Sequence, residues 1–116
     1  SGYVYITGRA SRFSKIGGEM VPHELVEEAI AAIRGSEERE VAVTGRSDPR
    51  RGERLVVFYT PEDFDPAEIV ARLREQKLPN LWIPKPEDFI RIPALPLLGS
   101  GKLDLGRLAE LARTLP

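Results

Sequence analysis

Apolar residues along this chain recur at three spacings, and each spacing predicts an element. Residues 3–7 (YVYIT) are β-branched and aromatic and predict a short strand. Two strand-like runs, 13–16 and 19–21, flank Gly17-Gly18 and predict a β-hairpin, because glycine reaches the positive φ values that a tight turn needs. Pro22 then opens a helix whose stripe is Leu25, Val26, Ala29, Ile30 and Ile33, with Gly35 as its C-terminal cap. Residues 40–44 alternate polar and apolar as a half-buried strand does, residues 45–53 form a polar turn, and 55–59 is a continuous apolar run of the kind covered on both faces. Asp65-Pro66-Ala67-Glu68 supplies an acidic N-cap, a first-turn proline and a capping-box glutamate for a second helix, which buries Ile69, Val70 and Leu73. Five prolines between Leu78 and Pro96 exclude a long helix there and leave 89–92 as the one strand. After an exposed loop at 97–102, Asp104 caps a last helix with Leu105, Leu108, Ala109, Leu111 and Ala112 on its apolar face.

This order predicts an α+β fold: a small mixed sheet with packed helices, preceded by an N-terminal β-hairpin. The 116 residues fit one domain, and 41% apolar with 30% charged residues is an ordinary globular balance. Between the first strand and the hairpin, residues 8–12 (GRASR) are polar and flexible enough to serve as a linker or hinge.

Charge and composition narrow the function. Seventeen basic and eighteen acidic residues leave a net charge of −1, which offers no general attraction for nucleic acid or an anionic membrane. Arg46, Arg50 and Arg51 are diluted by Asp48 and Glu53 and read as a solvated loop. The absence of cysteine removes disulfides, thiol nucleophiles and cysteine-based metal sites, and suits a cytosolic protein. The single His23 cannot build a metal cluster and reads as a surface residue. No stretch approaches the ~20 apolar residues of a membrane span.

Two segments could carry chemistry. Gly99-Ser100-Gly101-Lys102 suggests phosphate binding, since bare backbone N–H groups and an ammonium can both face an anion. It is not a Walker loop, because Pro96 stands where that motif has glycine and Leu103 stands where it has Ser or Thr. Alone it reads as a polar turn with a solvated lysine. The second segment runs from Gly8-Arg9 through Phe13 and Lys15 to Gly18, and alone it reads as a hairpin with surface charges.

Together, the stretch GRASRFSKIGGEMV (8–21) resembles the hinge-and-hairpin motif of the acyl-adenylate-forming, AMP-binding synthetases, and PLLGSGKLD (96–104) resembles their C-terminal lysine motif. Order, separation and the intervening pattern match that family's small, mobile C-terminal domain over essentially the whole chain. Residues 15–21 and 96–102 look closest to the branch of bacterial acyl-acyl-carrier-protein synthetase/2-acylglycerophosphoethanolamine acyltransferases.

The resemblance implies two half-reactions: a carboxylate attacks Mg-ATP to give acyl-AMP, and a thiol of CoA or an acyl carrier protein then displaces AMP. It implies that Lys102 is the adenylation lysine, that Arg9, Gly99 and Gly101 approach the nucleotide, and that the chain pivots at Ser11, within 8–12. Lys15, Gly17 and Gly18 would form the thiol-substrate face. Ser11 departs from the Asp or Lys usual at the hinge, and Met20 replaces a commonly basic residue, which leans toward a carrier-protein acceptor. Glu27 matches a structural glutamate of the motif. ATP and Mg²⁺ would be bound mainly by a large N-terminal adenylation domain of the same chain, the acid would be a fatty acid, and the location cytoplasmic, with the inner face of the membrane reached through the rest of the parent chain. The competing class is a non-catalytic α+β binding or regulatory module, in which Lys102 is dispensable.

Overall fold

The computed structural model describes residues 12–35, 39–50 and 52–115. The expected strand at 3–7, Arg9 and Ser11 lie outside the described residues.

Strands β1 (Phe13–Ile16) and β2 (Glu19–Pro22) pair antiparallel, with Phe13 opposite Pro22 and Lys15 opposite Met20. Gly17 and Gly18 carry φ of 58° and 90°. Positive φ at both central residues is what the two-residue turn of type I′ demands, and it explains why two glycines stand there. Helix α1 (His23–Arg34) follows at once and ends on Gly35 at φ 66°, whose N–H donates to the Ala31 carbonyl. It begins one residue later than the proline suggests, because Pro22 is still in β2 and supplies no side-chain cap. Its buried face is His23, Val26, Glu27 and Ile30, while Leu25, expected in the stripe, is exposed.

Strands β3 (Val41–Asp48), β4 (Gly52–Tyr59) and β5 (Phe89–Arg91) form the mixed sheet in that spatial order. β3 and β4 are antiparallel, whereas β4 and β5 are parallel. A parallel neighbour requires a crossover, and helix α2 (Pro66–Glu75), opened by an Asp65 side chain that accepts from Ala67 N–H, lies within it. Helix α3 (Leu105–Arg113) closes the described chain.

The sheet is the middle of three layers. Alternation along the strands sends Val41, Val43, Leu55, Val57 and Phe89 to one face, where α1, α2 and the hairpin residues Ile16 and Val21 pack. The opposite face takes Ala42, Val56 and Phe58 against Leu103, Leu108 and Ala112 of the α3 side. The continuous apolar run of β4 is therefore buried on both sides, as its composition suggests. Each face of the sheet thus carries its own buried core.

Residues 45–53 are not one long polar turn. The strands continue through Arg46↔Arg54 and Ser47↔Glu53 to Asp48↔Gly52, because backbone pairing does not need apolar side chains. Gly52 at φ 91° and the Asp48 carboxylate, which accepts from Arg50 N–H at 2.7 Å, make the reversal. Arg46 is half-buried and donates to the Leu115 carbonyl at 3.1 Å, so it does not belong to a solvated loop.

Candidate functional site

The Lys102 loop is a miniature hairpin. Leu98 O accepts from Gly101 N at 2.8 Å, Leu98 N donates to Lys102 O at 2.7 Å, and Asp104 N donates to Pro96 O at 2.9 Å, with Leu97 bridged to Leu103. Gly101 has φ 90°. An i→i+3 turn followed by a left-handed glycine is the three-residue loop with a glycine bulge. The sequence folds this way because glycine stands at the one position needing positive φ. Strand alternation then fixes the side chains: Leu103 is buried in the α3 core, so Lys102 points outward. Asp104 accepts from Arg107 N–H at 3.0 Å and caps α3. The lysine thus stands on a base held by the core on one side and by a helix cap on the other.

Lys102 and Gly101 line an open depression of about 610 Å³, shared with α1 and with Arg12 and Arg39. Its charged lining is balanced: Arg12, Arg34, Arg39 and Lys102 against Glu24, Glu27, Glu28 and Glu40. Three of these cations are already paired: Arg12 with Glu27 at 2.6 Å, Arg39 with Glu27 at 3.4 Å, and Arg34 with Glu40 at 2.8 Å. Lys102 is exposed and makes no ion pair among the described residues. It is the cation of this depression whose charge remains available to a visiting anion. Gly99 lies at the turn without positive φ and with open space around it, so its backbone is approachable from outside.

The hairpin residues do not join this depression. Lys15, Gly17 and Gly18 are exposed, on the unit that packs with α1 and α2 through Ile16 and Val21, whereas the Lys102 loop is rooted in the α3 core. Lys15 shares its outward strand face with Phe13, Met20 and Pro22, and Phe13 and Met20 are each about half exposed (50% and 56%). The turn geometry accounts for Gly17 and Gly18 without any ligand.

His23 is not on the surface. It is 2% exposed, its Nε2 lies 2.7 Å from the Ser14 hydroxyl, and Nδ1 has no hydrogen-bond partner. Burial, aided by the positive Arg12, lowers its pKa from 6.5 to about 4, so it is neutral in the fold. Glu27 is structural: one oxygen binds Arg12 and the other accepts from Val43 N–H at 2.7 Å. Sequence reasoning missed Arg12 and Arg39, whose partners lie 15 and 12 residues away with no local pattern to announce them.

Among the described residues no group of three or more His, Asp or Glu could hold a metal ion. No helix among them is long and apolar enough to cross a membrane.

Known proteins resemble this chain in sequence and in fold. The chain is 35% identical over 111 residues to a 2,3-dihydroxybenzoate-AMP ligase of Bacillus subtilis (strain 168), covering 94% of this chain and 20% of that protein. It is 30% identical over 119 residues to an acetyl-coenzyme A synthetase of Pasteurella multocida (strain Pm70), covering 97% and 18%. A solved fatty acyl CoA synthetase of Mycobacterium tuberculosis superposes with a TM-score of 0.75 at 27% identity, over 90% of this chain and 20% of that one. The chain therefore spans about a fifth of the length of these relatives. Residues 25–102, more than half of the chain, match the AMP-binding enzyme C-terminal domain, and with the fold in agreement the chain belongs to that family.

Proposed function

We propose that residues 1–116 form the mobile C-terminal domain of a longer AMP-forming acid–thiol ligase and that Lys102 assists its adenylation step. The observation that carries this reading is the ammonium of Lys102, without an ion pair among the described residues and held outward on a bulged hairpin in a depression whose other cations each meet a carboxylate.

In adenylation a carboxylate oxygen bonds to the α-phosphorus of ATP while the bond to the bridging oxygen breaks and pyrophosphate departs with the electron pair. The two reactants repel each other. A fixed ammonium beside both lowers that repulsion in the transition state, an effect whose loss costs roughly 10²–10³-fold in rate. Gly99 and Gly101, and Arg9 from the hinge side, approach the nucleotide, and ATP with Mg²⁺ is held mainly by a large N-terminal domain. Ser11 is the pivot.

In the second step a thiol sulfur bonds to the acyl carbon and AMP leaves. Lys15, Gly17 and Gly18 border the path of that thiol. On the outward face beside Lys15, Met20 and Phe13 are half exposed, an apolar contact area that suits an acyl carrier protein better than the phosphorylated nucleotide of CoA. Together with the likeness of residues 15–21 and 96–102, this favours a fatty acyl-acyl-carrier-protein synthetase of the acyltransferase-linked branch.

The test is Lys102→Ala in the full-length parent. Fatty-acid-dependent ATP–pyrophosphate exchange should fall roughly 10²–10³-fold, while transfer from preformed acyl-adenylate to a carrier protein or CoA continues. Unchanged exchange would make Lys102 a turn residue and refute the assignment.

A further inference from the structure

Arg12 is held at more points than a linker residue needs. Its carbonyl accepts from His23 N–H at 2.8 Å, which ties it to the first residue of α1. Its guanidinium meets Glu27 at 2.6 Å and donates to the Val43 carbonyl at 3.3 Å. Glu27 in turn accepts from the Val43 N–H at 2.7 Å. One residue is thus fixed to a helix, to a sheet strand and to the carboxylate that joins them. The pair is largely withdrawn from water, with side-chain exposures of 15% and 9%.

Packing of the hairpin does not require this arrangement. Ile16 and Val21, 1% and 0% exposed, already bury it in the core. Ion pairs taken out of water bring little net stability, because desolvation offsets the attraction. The clamp also borders the depression that holds Lys102.

We infer that the Arg12–Glu27–Val43 clamp is a positioning device that ends the hinge at Arg12, making the domain a rigid lever that delivers Lys102 to one place. This rests on the proposed function. The magnitudes favour it. A freed residue adds up to ~3.5 Å of reach to the chain. Placement of a catalytic group tolerates far less, since a displacement of about 1 Å can cost ~10²-fold in rate. A lever with slack at residue 12 would therefore lose much of what an ammonium on a rigid hairpin gains.

The variants separate positioning from folding. Glu27→Gln keeps an oxygen for the Val43 N–H but removes the charge that holds Arg12. Arg12→Ala removes the clamp, and Arg12→Lys restores a charge for Glu27. All are made in the full-length parent, with one label on the large domain and one at Ala71→Cys, an exposed position of α2. The readouts are the inter-label distance distribution, kcat and KM for ATP–pyrophosphate exchange, and Tm. Glu27→Gln and Arg12→Ala should broaden the distribution and lower kcat about tenfold or more with KM unchanged, at temperatures well below Tm, and Arg12→Lys should recover most of the loss. A shift in Tm with unchanged distribution and kcat overturns the inference, as does no change at all. Lys102→Ala in the same labelled protein keeps the two failures apart. If it leaves exchange intact, the adenylation reading falls and this inference with it. If it abolishes exchange while Glu27→Gln is silent, only the clamp is overturned.

Discussion

Gly45 occupies a position where one added carbon should break the buried hydrogen bond between Ser14 and His23. A Cβ built on Gly45 would stand 2.1 Å from the Ser14 hydroxyl oxygen and 3.3 Å from Ser14 Cβ. Ser14 can turn its hydroxyl to another rotamer, so the clash itself is relieved cheaply. What it cannot keep is the 2.7 Å bond to His23 Nε2, and His23 Nδ1 already lacks a partner. Gly45→Ala would then leave a buried ring with both nitrogens unpaired, at about 1–3 kcal/mol. Against this stands a gain of roughly 0.5–1 kcal/mol from replacing glycine inside a strand. The net expectation is a loss of about 1–2 kcal/mol, which equilibrium urea unfolding of this chain resolves and which lowers Tm by about 5 °C per kcal/mol. The decisive measurement is the same substitution in a Ser14→Ala background. There the hydroxyl is gone, the bond is lost beforehand, and what remains is the 3.3 Å contact with Cβ and an ordinary 3.7 Å contact with the Arg54 carbonyl, so Gly45→Ala should become neutral or slightly stabilising. An equal cost in both backgrounds would refute the reasoning, because the penalty would then come from the backbone or from overpacking.

Two further outcomes follow from the same geometry. His23 has a folded pKa of about 4 against 6.5 unfolded, so between those values the unfolded chain binds the extra proton. Stability should be insensitive to this group above pH 6.5 and fall as pH drops from 6.5 to about 4, by about 3 kcal/mol in all. His23→Gln should flatten that part of the slope, seen as the difference between the two proteins in urea unfolding at pH 7 and pH 4.5. Gly101→Ala places a side chain at φ 90°, which costs roughly 1–2 kcal/mol in the left-handed region, whereas Gly99→Ala meets neither positive φ nor a neighbour. In urea unfolding of this chain the first should lower stability by about that amount and the second leave it nearly unchanged, and equal effects would show that the bulge does not need glycine at 101.

Local chemistry was readable along the chain, and long-range burial was not. The Gly-Gly turn, the Asp65 and Asp104 caps, the glycine stop of α1 and the doubly covered β4 depend on neighbours within a few residues, and the structure has each of them. The burial of His23 is not legible in the sequence, because its hydrogen-bond partner Ser14 lies nine residues away and nothing about a histidine after a proline announces such a partner. Arg46 was misread for the same reason, since its acceptor at Leu115 is 69 residues distant. The β3–β4 turn looked longer than it is because the ends of both strands pair through the backbone while carrying polar side chains. At the candidate site, Lys102 was visible through its motif, but its rigid mount rests on hydrogen bonds from Leu98, Gly101 and Asp104 that residue type alone does not reveal.

Among the described residues, strand β3 lies at the margin of its sheet, with β4 on one side only. Such a margin is a template on which another chain can lay a strand, and that is how many proteins begin to aggregate. At Val43 both backbone groups facing away from β4 are already taken, the carbonyl by Arg12 and the N–H by Glu27. No backbone bond at that residue is left for an incoming strand. The Arg12–Glu27 pair thus also guards the domain against pairing with itself, and a chain that lost it would expose a surface on which its own copies could stack.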